Sequence, residues 1–154
     1  MSLAIDKAKE IGIGLVVAKR STHYGIAGFY SLQALKENML GMSMCNTSPI
    51  TYPTRSNSST FGTNPISLAA PGKNSDSFVL DMATSSVALG KLEIWQLKNS
   101  ESLPMPSTWG ANKDGFATTD SRDVLGGGGG LFPLGGSEEA GGYKGYGLMF
   151  LGNL

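Results

Sequence analysis

The sequence predicts an α/β fold in which a mixed β-sheet is flanked by helices. Short apolar segments alternate along the chain with segments of helical periodicity, which is the usual pattern of this class. Two predicted strands, residues 66–70 and 78–82, are separated by a turn at residues 71–74. Because such a pair forms a hairpin, a purely parallel sheet is not expected. We expect residues 1–154 to form a single partial domain of a longer protein.

The first elements alternate between helix and strand. Residues 3–10 have an amphipathic helical pattern that ends at Gly12. Residues 13–17 are uncharged and largely β-branched, which predicts a buried strand. Ser21 and Thr22 are N-cap candidates for a second helix over residues 25–38.

The later elements are less regular. Residues 40–45 predict another strand, and residues 46–61 predict a long polar loop of the kind that is often functional. A helix is predicted over residues 83–99, and periodicity is then weak until an apolar, helix-like segment begins at Tyr143. The chain stops soon after that segment begins, which favours a piece of a longer protein.

Composition excludes several classes of function. The chain has 12 Lys plus Arg and 12 Asp plus Glu, so neither nucleic acid nor an anionic membrane is expected as a partner. We found no apolar stretch long enough to span a bilayer and no secretory signal, so a cytoplasmic protein is expected. One His and one Cys cannot form a metal cluster or a disulfide framework. Cys45 is interpreted as a small buried hydrophobic residue.

The lone histidine, His23, lies where a predicted strand gives way to a predicted helix. Ligands of α/β proteins bind at such junctions, and a neutral imidazole can accept a proton from an alcohol. A histidine that only caps the helix, or forms a hydrogen bond in the core, fits the same position. Position alone favours this second, structural interpretation.

Three other segments offer polar groups, each with an ordinary structural alternative. Residues 62–65 combine Thr63 and Asn64 with a proline turn. Asp81 stands at a strand end, where it could cap a helix or orient a ligand. Lys144, beside Gly145, could bind a carboxylate or be a solvated loop lysine. No G-x-G-x-x-G or Walker A motif occurs, so any nucleotide site would be of a non-Rossmann kind.

Taken in order, six segments resemble the type 2 malate/L-lactate dehydrogenase family. The resemblance extends from about residue 3 to residue 150. The segments are Ser-Thr-His-Tyr-Gly-Ile-Ala-Gly-Phe-Tyr (21–30), Asn-Thr-Ser-Pro (46–49), Phe-Gly-Thr-Asn-Pro (61–65), Leu-Asp-Met-Ala-Thr-Ser (80–85), Pro-Leu-Gly-Gly (133–136) and Gly-Gly-Tyr-Lys-Gly-Tyr-Gly-Leu (141–148).

The resemblance implies a fold unrelated to the Rossmann domain and a homodimeric enzyme of about twice this length. It implies hydride transfer between a 2-hydroxy acid and NAD or NADP, giving the 2-oxo acid. Malate is the expected substrate, with lactate or sulfolactate as alternatives. A non-catalytic NAD(P)-binding fragment, or an interaction fragment with disordered glycine-rich loops, is the competing interpretation.

The resemblance also assigns roles to individual residues. His23 would be the proton acceptor. The substrate-binding residues would be Thr47, Lys144 and Gly145. The cofactor-binding residues would be Asp81, Met82, Ala83, Thr63 and Asn64. No metal is implied. The glycine run at residues 126–130 has no recognised counterpart and is interpreted as a linker or flexible loop.

Overall fold

The computed structural model describes residues 1–21, 23–74, 76–99 and 103–152. The chain forms two compact units, Met1–Cys45 with Pro65–Met82 and Asn46–Asn64 with Ala83–Leu154, which we call the first and second units. The elements of the first unit are α1 (Ser2–Ile11), α2 (Ala27–Lys36), β1 (Gly41–Met44), β2 (Ile66–Pro71) and β3 (Ser77–Met82). The elements of the second unit are α3 (Leu89–Asn99), β4 (Gly110–Ala111), α4 (Ser121–Leu125), β5 (Gly130–Leu131) and α5 (Gly142–Leu151).

The first unit is a three-stranded sheet with one helix packed on it. The strand order is β1-β2-β3, and both strand pairs are antiparallel. Helix α2 contacts all three strands, and Ala34 of α2 and Ala69 of β2 are among the buried residues. The predicted hairpin and the predicted second helix are therefore confirmed.

The start of α2 differs from the prediction. The N-cap residue is Ile26, which has an extended conformation, and its side chain makes no capping hydrogen bond. Ser21 is therefore not the cap that the sequence suggested. Thr22, the other candidate, lies outside the described residues.

Residues 13–17 do not form the predicted buried strand. Gly14 lies against the first helix so closely that a Cβ atom there would overlap the main-chain oxygen of Ala4. At Gly14 the neighbour is therefore α1, and residues 13–17 pair with no strand that the structure describes, so their β-branched side chains belong to no ladder. Ile13 and Leu15 are 78% and 79% exposed.

The core of the second unit lies between α3 and the short strand β5. Leu92 and Leu131 are fully buried there, and Met105 and Val87 complete the cluster. Helix α3 begins at Leu89 and not at residue 83. The backbone N–H groups of Thr84 and Ser86 are already used by neighbouring loops, donating to Thr63 and Phe132.

The glycine run at residues 126–130 is packed, so the expected linker or flexible loop is wrong. Gly127 donates its N–H to Arg122, and Gly130 is buried in β5. A Cβ at Gly129 would overlap the main-chain oxygen of Ala111. The missing side chains allow backbone to pack on backbone.

The predicted α/β class is confirmed. Both sheets pair antiparallel, and parallel pairing among the described residues is limited to the isolated bridge between Thr51 and Leu131. Cys45 is half-buried, and burial raises the pKa of its thiol. No helix in the described part of the chain is long and apolar enough to cross a membrane.

Candidate active site

His23 is exposed and lies four residues before α2. Its Nδ1 accepts a hydrogen bond of 3.1 Å from the backbone N–H of Gly25. A ring nitrogen that accepts from an amide carries no proton, so the proton of the neutral ring is on Nε2. Gly25 has φ +91, a conformation that favours glycine, and a Cβ there would meet open space.

The residues around His23 are fixed by two tyrosines. The Tyr24 ring stacks on Tyr30 at 4.8 Å between ring centres, and the Tyr30 hydroxyl donates to the main-chain oxygen of Tyr24 at 2.9 Å. The Tyr24 hydroxyl lies 2.7 Å from the Ser43 hydroxyl on β1, and burial raises the pKa of Tyr24. The backbone that carries His23 is thereby held to α2 and to β1.

Asp81 caps α2 from the neighbouring strand β3. Its Oδ2 accepts the N–H of Gly28 at 3.0 Å, in the first turn of the helix. A carboxylate at this end is favoured by the helix dipole. A Cβ at Gly28 would lie 2.5 Å from the same oxygen, so glycine is needed for this contact. Of the two roles considered for Asp81, capping is present, although the helix is α2 and not the one that follows in sequence.

Replacing Asp81 by Ala should lower the free energy of unfolding by about 1 kcal/mol, because a first-turn N–H of α2 loses its acceptor. Asp81→Asn keeps an oxygen acceptor and should lose less. Denaturant titration followed by far-UV circular dichroism measures both variants. If Asp81→Asn and Asp81→Ala lower the free energy of unfolding equally, the stabilisation comes from the charge of Asp81 and not from its capping hydrogen bond.

In the second unit, Thr47 and Thr63 form a pair. The Thr63 N–H donates to the Thr47 Oγ1 at 2.9 Å, and the two hydroxyl oxygens are 3.3 Å apart. A Cβ at Gly62 would overlap the Thr47 Oγ1, so the glycine permits the approach. Both threonines are half-buried. The loop predicted at residues 46–61 thus presents Thr47 in a defined position.

Asn64 is 1% exposed and has φ +33. Its Oδ1 accepts the N–H of Thr47 at 3.0 Å, and its Nδ2 donates to the main-chain oxygen of Met149 at 2.7 Å. Met149 lies in the last turn of α5, where main-chain oxygens have no partner within the helix. Asn64 therefore connects the Thr47 loop to α5.

Lys144 lies in the first turn of α5, after Gly141, which is the left-handed N-cap residue with φ +96. The lysine side chain is exposed, and its Nζ is 5.8 Å from the centre of the Tyr143 ring. A helix N-terminus carries partial positive charge, and an ammonium group in its first turn adds a full charge. The start of α5 is therefore suited to an anion such as a carboxylate.

Gly145 is buried inside α5 and serves close packing. A Cβ there would overlap the main-chain nitrogen of Leu134, and a Cβ at Gly142 would overlap the main-chain oxygen of Gly136. The first turns of α5 thus rest directly on the backbone of residues 134–136. This contact sets the position of Lys144, its neighbour in sequence.

Two other cations of the second unit, Arg55 and Lys91, have partners within that unit. Arg55 forms hydrogen bonds of 2.9 and 3.0 Å from its Nε to the carboxylate of Glu138, and this pairing lowers the pKa of Glu138. The Lys91 ammonium lies 4.9 Å from the centre of the Trp109 ring.

The remaining predicted residues lie at the end of β3 and just after it. Met82 is paired with Ile66 across the sheet, and Ala83 is half-buried. No group of three or more metal-ligating side chains occurs in the ranges that the structure describes.

Sequence reasoning missed the structural importance of Gly28 and Gly62. The available signal was a glycine inside a predicted helix, and one directly before a polar pair.

The fold and these residues define an α/β protein with an exposed histidine before one helix and a lysine in the first turn of another. The chain belongs to the malate/L-lactate dehydrogenase family, whose family model matches residues 1–154. It is 50% identical over 152 residues to a malate dehydrogenase of Pyrococcus horikoshii, covering 98% of this chain and 41% of that protein.

Two further relatives support the assignment. An L-sulfolactate dehydrogenase of Methanocaldococcus jannaschii is 42% identical, with 96% of this chain and 40% of that protein covered. The crystal structure of a malate dehydrogenase from Entamoeba histolytica matches with a TM-score of 0.87 at 34% identity, covering 97% of this chain and 42% of that chain. The chain therefore spans about two fifths of the length of these relatives.

Proposed function

We propose that the protein containing this chain oxidises a 2-hydroxy acid to the 2-oxo acid with NAD or NADP as the hydride acceptor. The observation that carries the proposal is the exposed imidazole of His23, whose Nδ1 accepts from the Gly25 N–H just before α2. Family membership supports the reaction class, and the names of the relatives support malate, with sulfolactate as an alternative.

His23 takes the proton of the substrate hydroxyl. The lone pair that can accept this proton is on Nδ1. In the protein without substrate, Nδ1 accepts a hydrogen bond from the Gly25 N–H. When the hydroxyl replaces that amide, its proton passes to Nδ1, and the electron pair of the O–H bond becomes part of the new C=O bond. The hydrogen on the same carbon leaves as hydride. The exposed position of His23 lets a ligand reach the ring.

The carboxylate of the substrate binds at the start of α5. Lys144 supplies the charge, and the partial positive charge at the N-terminus of α5 also favours an anion. Thr47 supplies a hydroxyl to the substrate, and Gly145 keeps the helix in place. The family resemblance implies substrate binding for Thr47, Lys144 and Gly145, whereas the packing role of Gly145 follows from its close contact with Leu134.

The residues present also fit a nicotinamide cofactor. Asp81 is exposed and uses Oδ2 for Gly28, which leaves Oδ1 to accept from a hydroxyl. Met82, Ala83 and Thr63 are half-buried and keep part of their surface for a ligand, whereas Asn64 is 1% exposed and is not proposed to contact the cofactor directly. When bound, the cofactor supplies the acceptor for the hydride.

An absorbance assay of reduced cofactor, with malate, lactate and sulfolactate against NAD and NADP, tests the proposal. Turnover with at least one acid is expected, and malate should give the highest kcat/KM. Fluorescence titration with NADH and NADPH is the companion measurement. Cofactor binding without turnover of any acid would contradict the enzymatic proposal and favour a non-catalytic binding protein. A homodimer, a cytoplasmic location and a single partial catalytic domain remain predictions.

A further inference from the structure

The Asn64 amide has both of its ends committed inside the second unit. The oxygen accepts from Thr47 at 3.0 Å, and the nitrogen donates to Met149 at 2.7 Å. The side chain is 1% exposed. It therefore has little surface to offer a bound ligand, and its contacts connect two pieces of protein.

The backbone at Asn64 is fixed as well. Thr84, which is fully buried, donates its hydroxyl to the main-chain oxygens of Thr63 at 2.9 Å and of Asn64 at 3.1 Å. Its own N–H donates to the oxygen of Thr63 at 2.8 Å. The left-handed φ of Asn64, which asparagine tolerates better than most residues, is thus held in place.

The same segment also packs against the side of α5. The Phe61 ring contacts Tyr146 at 5.6 Å in an edge-to-face geometry and Phe150 at 6.0 Å between ring centres. Tyr146 and Phe150 are one helical turn apart, so they form one face of the helix. Residues 61–64 therefore hold α5 by an aromatic contact and by the Asn64 hydrogen bond.

We propose that Asn64 is a positioning residue that sets the distance between Thr47 and the helix that carries Lys144. This inference rests on the proposed function, in which these two residues bind the substrate. A rigid pair of binding groups gains affinity because less ordering is needed on binding. Loss of the bridge should weaken substrate binding and leave the proton-transfer step almost unchanged.

The test compares Asn64→Gly with Asn64→Asp in the full chain. Gly keeps access to the left-handed conformation and removes both hydrogen bonds. Asp keeps the acceptor for the Thr47 N–H and places an oxygen against the main-chain oxygen of Met149. Asn74→Gly is the matched control, because Asn74 is also left-handed, with φ +56, and lies in the exposed turn between β2 and β3.

Asn64→Gly should raise the KM for the hydroxy acid about tenfold, with kcat changed less than about threefold and the cofactor KM unchanged. On a Lys144→Ala background the same substitution should have little further effect, because Asn64 acts through the position of that lysine. Asn74→Gly should leave all three constants unchanged. A decrease in kcat that equals the increase in both KM values would indicate a general loss of structure, if these effects also add to those of Lys144→Ala. That result would overturn the proposal.

Hydrogen exchange gives a readout that does not need activity. The Thr47 amide should exchange about tenfold faster or more in Asn64→Gly, and should stay protected in Asn64→Asp, where an acceptor remains. Unchanged exchange at Thr47 in Asn64→Gly overturns the bridge itself. If Thr47 exchanges faster in Asn64→Gly but the parent protein oxidises no 2-hydroxy acid, the bridge exists and the proposed function has failed. The positioning role then fails with the proposed function.

Discussion

Replacing His23 by Ala should lower kcat for hydroxy-acid oxidation by about 100-fold or more, with a much smaller change in KM. General base catalysis by a positioned imidazole contributes about this factor, and the chain contains one histidine, so no second imidazole is available in it. Steady-state kinetics with the parent protein and the variant measure the ratio. A variant with unchanged kcat would remove the proposed role of His23.

A glycine variant gives a sharper form of the same test. The His23 side chain is exposed, so its removal leaves a space that solvent and small molecules can enter. Added imidazole should restore part of the lost turnover in His23→Gly and leave the parent protein unaffected. Loss of turnover that imidazole does not restore, together with a lower unfolding midpoint, would indicate that His23 acts only on structure.

Lys144→Ala should raise the KM for the hydroxy acid about 30-fold, with a small change in kcat. A 30-fold increase in KM corresponds to about 2 kcal/mol, which is the usual contribution of one charge-assisted hydrogen bond to a carboxylate. Lys144 lies in the first turn of α5, where the helix dipole acts on the same anion, so Lys144→Arg should keep much of the affinity. Initial rates over a range of substrate concentrations separate KM from kcat.

Lys113→Ala is the control for Lys144→Ala. Lys113 is an exposed lysine in the same unit, so its removal changes the net charge equally without touching α5. We expect both kinetic constants of this variant to stay at the parent values. If the two lysine variants have the same effect on KM, the protein attracts its substrate through net charge, and the carboxylate is not bound at the start of α5.

The sequence was sufficient for those elements whose pattern is local. The hairpin of β2 and β3 follows from alternating segments around a proline turn, and the apolar run after Tyr143 is confirmed as α5. The segment at residues 13–17 has the composition of a strand and was still misassigned. Strand formation depends on a neighbouring edge, and here the neighbour is the helix α1.

The site was only partly accessible to sequence reasoning. Motif order pointed to the family, which the comparisons confirm. The contacts that hold the residues in place depend on long-range folding: Asn64 and Met149 are 85 positions apart, and Gly28 and Asp81 are 53 apart. No local pattern encodes such distances. The glycine run at residues 126–130 was misassigned for a related reason, since only the fold shows that Gly127, Gly129 and Gly130 pack closely against other backbone segments.

The backbone contact between α5 and residues 134–136 has a consequence for how substrate preference can change during evolution. Side chains adapt to a new neighbour by choosing another rotamer, but peptide planes cannot, and α5 meets residues 134–136 through peptide groups at Gly142 and Gly145. The contact of α5 with residues 134–136 is thus made by backbone atoms, in addition to the side-chain contacts that Phe61 and Asn64 make with the same helix. If Lys144 binds the substrate carboxylate as proposed, we expect a change of preference to a longer or shorter acid to come from substitutions outside residues 134–136, Gly142 and Gly145.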